Sequence, residues 1–130
     1  VLSAVEVGEL RLLLAAERER TDGQIASLRA EFDAIVESVE ADAPDDEHDP
    51  EGSTRGFERA RVAALLADAR ARLADLDRAA VRLDAGDFGV CVACGQPIPF
   101  ERLAVQLATD RCVACASGST GPVWGRLPQV

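Results

Sequence analysis

The sequence predicts a mainly α fold, a long antiparallel coiled-coil hairpin with a small globular end organised around four cysteines. Three observations predict it. Two stretches carry apolar residues at alternating steps of three and four, the spacing of a heptad seam. A short acidic segment with two prolines separates them. Beyond the second stretch, Cys91, Cys94, Cys112 and Cys115 stand in the pattern C-x2-C-x17-C-x2-C.

The first helix is expected from about Glu6 to Glu40. Ile25, Leu28, Phe32, Ile35 and Val39 form its seam. Extended toward the N-terminus, that seam meets Thr21, Arg18, Leu14 and Arg11, so the early part reads as a weak zipper. Gly23 also lowers helix propensity there, by about 1 kcal/mol relative to Ala. The second helix is expected from about Thr54 to Ala85, with a seam of Val62, Leu66, Ala69, Leu73, Leu76, Ala80 and Leu83. Its other faces carry Arg and Asp. Two amphipathic helices with one short connector fold back on each other as an antiparallel hairpin.

The connector reads ADAPDDEHDPEGS from Ala41 to Ser53. Pro44 and Pro50 stop helix propagation, Gly52 permits a turn, and Ser53 or Thr54 can N-cap the second helix. Asp42, Asp45, Asp46, Glu47, Asp49 and Glu51 leave the tip unable to bury itself. Its charges are either solvated or offered to a partner. His48 reads as a polar loop residue, because the four thiolates already complete a metal site.

The second helix ends at Gly86 in the phrase Asp84-Ala-Gly-Asp-Phe-Gly89. The cysteine spacing then suits one tetrahedral Zn²⁺ held by two knuckles, each giving two thiolates from a tight turn. Gly95 follows Cys94, where a knuckle turn uses a residue tolerant of positive φ. Two disulfides or a redox-active pair fit less well. No signal-peptide flanks accompany the early apolar run Leu12–Ala16, and no βαβ pattern precedes Cys91. Four thiolates leave no open coordination position, so the zinc is structural. Between the knuckles, Pro99–Val105 reads as a turn and short helix packing beside the metal. The expected organisation is a hairpin over 6–85 with its acidic tip at about 41–54, a zinc-finger module over 86–116, and a flexible C-terminal tail over 117–130. In that tail Trp124 either docks on the hairpin base or stays exposed.

Composition bounds the function. The net charge is −9, and all 14 basic residues are Arg. That balance counts against gripping nucleic acid through its phosphates, which needs clustered cations. One Trp and four Phe supply little bulk for a large core. There is no Ser/His/Asp set and no phosphate-cradling Gly loop, so no enzyme is expected. Zinc-spaced thiols without an export signal predict a cytoplasmic protein.

The segment Leu83-Asp-Ala-Gly-Asp-Phe-Gly-Val-Cys-Val-Ala-Cys-Gly-Gln-Pro-Ile98, followed by Arg102-Leu103 and Cys112-Val-Ala-Cys115, resembles the DksA/TraR family of bacterial transcription factors. The resemblance runs from about Leu10 to Ala116. Asp45-Asp-Glu-His-Asp-Pro-Glu-Gly52 with Phe57-Glu58-Arg59 looks like the tip of actinobacterial members. The resemblance implies a coiled-coil hairpin on a four-cysteine zinc finger that binds RNA polymerase rather than promoter DNA. It also implies a tip that enters the secondary channel, with Asp45, Asp46, Asp49 and Glu51 as partner-binding residues.

Two departures bear on mechanism. The family's tip motif D-x-x-D-x-A finds its acids at Asp42-x-x-Asp45 or Asp46-x-x-Asp49, but Glu47 or Glu51 replaces the alanine. Gln106 stands where a motif arginine associated with ppGpp is found, and it lacks the charged guanidinium fork. A weak or absent ppGpp response is therefore expected, from a monomer. The competing reading is a zinc-stabilised coiled-coil adaptor for another protein partner.

Overall fold

The computed structural model describes residues 2–41 and 50–117, with side-chain surroundings for 2–38 and 54–117. Four helices follow in order: α1 (Ala4–Ala41), α2 (Pro50–Ala85), α3 (Phe100–Val105) and α4 (Val113–Ser117). Among the described residues the only extended pairing is an isolated antiparallel bridge between Val90 and Pro97.

Both long helices begin earlier than their seams suggest, for separate reasons. At the start of α1, the Ser3 Oγ accepts from the Glu6 N–H at 3.1 Å, and the Ser3 N–H donates to Glu6 Oε1 at 3.0 Å. This reciprocal capping box satisfies two amide donors and carries the helix back to Ala4. Ser3→Ala is expected to cost about 0.5–2 kcal/mol, read as a lowered urea midpoint. The second helix begins at Pro50, not Thr54. Proline's missing N–H is no loss in a first turn, whose amides have no intrahelical acceptor, and its fixed φ already suits a helix. The expected turn at Gly52 and cap at Ser53 or Thr54 are thus replaced by helical backbone. Pro44 and His48 lie outside the described residues.

The chain divides into two compact units. In the unit Arg18–Ala74, Leu28, Val62, Leu66 and Ala69 form a core flanked by Ile25, Phe32 and Ile35. The helices run antiparallel here. Arg61 reaches Glu31 across the pair at 3.5 Å while also bonding Glu58 on its own helix at 2.7 Å. The Arg61 guanidinium hydrogen-bonds the Glu58 carboxyl and holds it below its ordinary titration range. Both groups are about half exposed, so the pairs add little stability.

The second unit lies within Val1–Glu17 and Asp75–Val130. Its core joins Leu10 and Leu14 of α1 and Leu76, Ala79 and Leu83 of α2 to Phe88, Cys91, Ile98, Leu103 and Leu107. Arg11 on α1 meets Asp84 on α2 at 2.5 Å, again antiparallel. The buried line on α1 therefore differs from the expected one. Leu10 is fully buried and Glu17 half-buried, whereas Arg11 and Arg18 are exposed. Two successive four-residue steps, Glu17 to Thr21 to Ile25, rotate the seam by one position. The reason is desolvation: burying Leu10 is favourable, and burying the Arg11 guanidinium is not. Thr21 is the one buried polar side chain among the described residues. On α2 Val62, Leu66, Ala69, Leu76 and Leu83 of the expected seam are buried, Leu73 and Ala80 are half-buried, and Ala79 lies deeper than its neighbour Ala80.

Gly86 closes α2. The Asp87 N–H bonds the Arg82 carbonyl at 2.9 Å and the Gly86 N–H bonds that of Leu83 at 3.3 Å, a Schellman stop. Its φ of +85° is one that a Cβ disfavours. The chain reversal delivers Phe88 into the core and aims the backbone at Cys91.

Candidate metal centre

The first knuckle is held by its own backbone. The Cys91 N–H donates to the Gln96 carbonyl at 2.9 Å, and the Gly95 N–H returns to the Cys91 carbonyl at 2.8 Å. That closes a tight turn around Cys91 and Cys94. Gly95 has φ +78°, the conformation expected from its place after Cys94. The second knuckle is built differently. Cys112 immediately precedes α4, Cys115 lies within it, and the Ala116 N–H bonds the Cys112 carbonyl at 2.9 Å.

Two arginines brace the segment that brings the knuckles together. Arg102 on α3 donates through Nε to the Arg111 carbonyl at 3.0 Å and through Nη2 to the Thr109 hydroxyl at 3.4 Å. Arg82 on α2 reaches the Thr109 carbonyl at 3.4 Å while its guanidinium lies 5.4 Å from the Phe88 ring centroid. The Val92 N–H bonds the Asp110 carbonyl at 2.9 Å, tying the first knuckle to the approach of the second. Of these, only Arg102 stood out in the sequence, within the Arg-Leu pair. Thr109 and Arg82 carried no local signal, because their roles depend on the meeting of distant segments.

The result is a cluster in which the sulfurs of Cys91, Cys94, Cys112 and Cys115 all lie within 4.8 Å of one another. The Cys94 and Cys112 sulfurs are 3.8 Å apart. A disulfide requires about 2.05 Å, and all four thiols are free. A tetrahedron with Zn–S bonds of about 2.3 Å has S···S edges of about 3.8 Å. The donor set and its spacing therefore fit one structural Zn²⁺, with Cys91 buried and Cys94 exposed.

The electrostatics agree. The backbone amide of Cys112 stabilises the Cys91 thiolate, helped by those of Cys94 and Ala93, and lowers this thiol to about 6. Cys115 is pushed up to about 12 by the crowding sulfurs of Cys112, Cys91 and Cys94. At Cys94 the Gln96 amide favours the thiolate, but desolvation and the Cys91 thiol outweigh it, so the net shift is upward. Cys94 and Cys115 therefore resist ionisation beside the other sulfurs. A divalent cation reverses that preference by supplying the compensating charge.

Asp45, Asp46 and Asp49 lie outside the described residues, and Glu51 falls in the first turn of α2.

Residues 86–121 match the prokaryotic dksA/traR C4-type zinc finger. That likeness lies in the zinc-finger segment of the chain. The chain is also structurally similar to transcription factor DksA2 from Pseudomonas aeruginosa, at a TM-score of 0.74 and 25% identity. That match covers 88% of this chain and 82% of the other. No curated protein matches this chain in sequence. Among the described residues, no helix is long and apolar enough to cross a membrane.

Proposed function

We propose that this protein is a cytoplasmic transcription regulator that binds core RNA polymerase through the secondary channel. It modulates initiation without recognising a DNA sequence. The observation that carries this reading is the structural likeness to a transcription factor across 88% of the chain. The segment between α1 and α2 supplies the partner-binding carboxylates Asp45, Asp46 and Asp49, and the first turn of α2 adds Glu51. Acidic groups delivered into a basic channel gain electrostatic attraction, and a net charge of −9 steers approach in the same direction. Cys91, Cys94, Cys112 and Cys115 ligate one Zn²⁺ and keep the helix base rigid. The protein acts as a monomer. Its ppGpp response is weak, because the Gln106 side chain carries no charge and lacks a guanidinium fork.

The test is binding to core RNA polymerase in competition with a transcript-cleavage factor that occupies the secondary channel. Mutually exclusive binding is expected, and Asp45→Ala, Asp46→Ala and Asp49→Ala combined should remove the transcriptional effect. Absence of binding at micromolar concentration would sink the proposal and favour a coiled-coil adaptor for another protein.

A further inference from the structure

Within the unit Arg18–Ala74, a groove of about 370 Å³ lies between α1 and α2. Phe32 of α1 and Leu66 of α2 give it apolar surface, and the small side chains of Ala63 and Ala67 leave it open. Arg29 of α1 and Arg70 of α2 line it from opposite helices, together with Asp33. Two guanidiniums against one carboxylate leave this lining a net positive charge in a chain of −9. Other arginines find acceptors within the chain. Arg61 is shared between Glu31 and Glu58, and Arg82 and Arg102 bond backbone carbonyls. Arg29 and Arg70 have no ion-pair or hydrogen-bond partner among the described residues, and Asp33 pairs with neither.

We propose that this groove is a second contact with RNA polymerase, receiving an acidic residue of the channel wall that has an apolar neighbour. The contact rests on the polymerase reading, which the likeness to a transcription factor supports. The carboxylate bridges the Arg29 and Arg70 guanidiniums, whose planar forks suit it, and the apolar neighbour covers Phe32 and Leu66. Excluding water over that apolar surface strengthens the attraction between the charges. A phosphate-bearing strand is a poorer match. Asp33 and the charge of −9 repel a repeated polyanion, whereas a single carboxylate balances the surplus guanidinium.

The position along α2 gives this contact a role of its own. Arg70 lies about 30 Å along the helix from Pro50, at about 1.5 Å per residue. Acidic groups drawn into a basic channel gain attraction without a fixed end point. An opposite charge set back along the same helix is favourable at one depth only, so the two contacts together fix the register of insertion.

The sign of the response tests this. Arg29→Glu combined with Arg70→Glu makes the chain more acidic, which strengthens attraction to a purely basic channel. Here it is expected to weaken binding of the zinc-loaded full-length protein to core RNA polymerase by about tenfold or more. Asp33→Asn makes the chain less acidic, yet it is expected to tighten binding several-fold. Zinc content and helical circular dichroism should stay unchanged, because Arg29, Asp33 and Arg70 are all exposed. Should the double variant fail to fold, Asp33→Asn reads the same groove alone. Unchanged or tighter binding by a folded double variant overturns the proposal, as does unchanged or weaker binding by Asp33→Asn. So does binding of a single-stranded RNA oligonucleotide that the charge reversal abolishes, which assigns the groove to phosphates. A wild-type chain that does not bind polymerase removes the polymerase reading and this contact with it. That outcome is distinct from wild-type binding that ignores the groove, which removes the contact alone.

Discussion

Serine at Cys91, Cys94, Cys112 or Cys115 is expected to abolish stoichiometric zinc binding, the largest single-site effect this chain can show. A serine hydroxyl stays protonated near neutral pH and offers a hard oxygen where the site presents soft thiolates. Structural zinc contributes about 10–16 kcal/mol of apparent binding free energy in zinc-finger peptides near pH 7. Whole domains are stable by only about 5–15 kcal/mol, so losing a ligand threatens the entire zinc-containing unit. Cys91→Ser should be the most severe, because Cys91 is 1% exposed and packs in the core with Leu83 and Leu103. Cys94→Ser removes an exposed ligand and should release metal with less collapse. Zinc per chain by elemental analysis, measured beside far-ultraviolet circular dichroism, checks both. Retention of one zinc in all four variants would refute the assignment. Binding should also release protons, since Cys115, held up to about 12 beside the other thiols, must ionise to ligate.

The sequence carried the two helices and the metal cluster because each is specified by spacing within one segment. Seven α2 residues at heptad steps define a face regardless of the partner, and two CxxC turns position their sulfurs locally. The seam register before Ile25 was harder to read. Leu10 and Arg11 are adjacent, and an apolar pattern extrapolated in steps of 3.5 selects the wrong one after four steps. Only the position of Leu76, Ala79 and Leu83 in the same core decides between them. The start of α1 at Ala4 has a local sequence signal outside the apolar seam, since Ser3-x-x-Glu6 is a capping-box pattern. Arg82 and Thr109 belong to a different class. Their contact joins residues 27 apart, and no periodicity announces it.

These contacts explain how a metal site with one buried sulfur can govern helix packing. Cys91 and Leu103 occupy the same core as Leu10 and Leu14 of α1, so the knuckles do not hang from the helices on a linker. Arg102 adds direction. It holds the Arg111 carbonyl next to Cys112, fixing where the second pair of thiols arrives relative to α3. The Arg-Leu pair at 102–103 thus divides its work, one side chain orienting the second knuckle and the other filling the space beneath the first.

Leu103→Ala tests that division. Leu103 has no exposed surface, and its removal leaves a cavity between α3 and the base of α1 and α2. A buried Leu→Ala substitution costs about 2–5 kcal/mol, the spread reflecting how far the surroundings collapse. Here the upper half is expected, because neighbouring Arg102 is pinned to Arg111 and Thr109 and the zinc knuckles restrain Cys91, so α3 has little freedom to settle. Val105→Ala on the same helix is the control: Val105 is 80% exposed, and such changes stay within about 0.5 kcal/mol. Urea unfolding of the zinc-loaded protein should lower the midpoint strongly for Leu103→Ala and leave it nearly unmoved for Val105→Ala. A Leu103→Ala loss below about 1 kcal/mol would mean that α3 closes over the gap, contrary to the restraint that Arg102 and the knuckles are argued to impose.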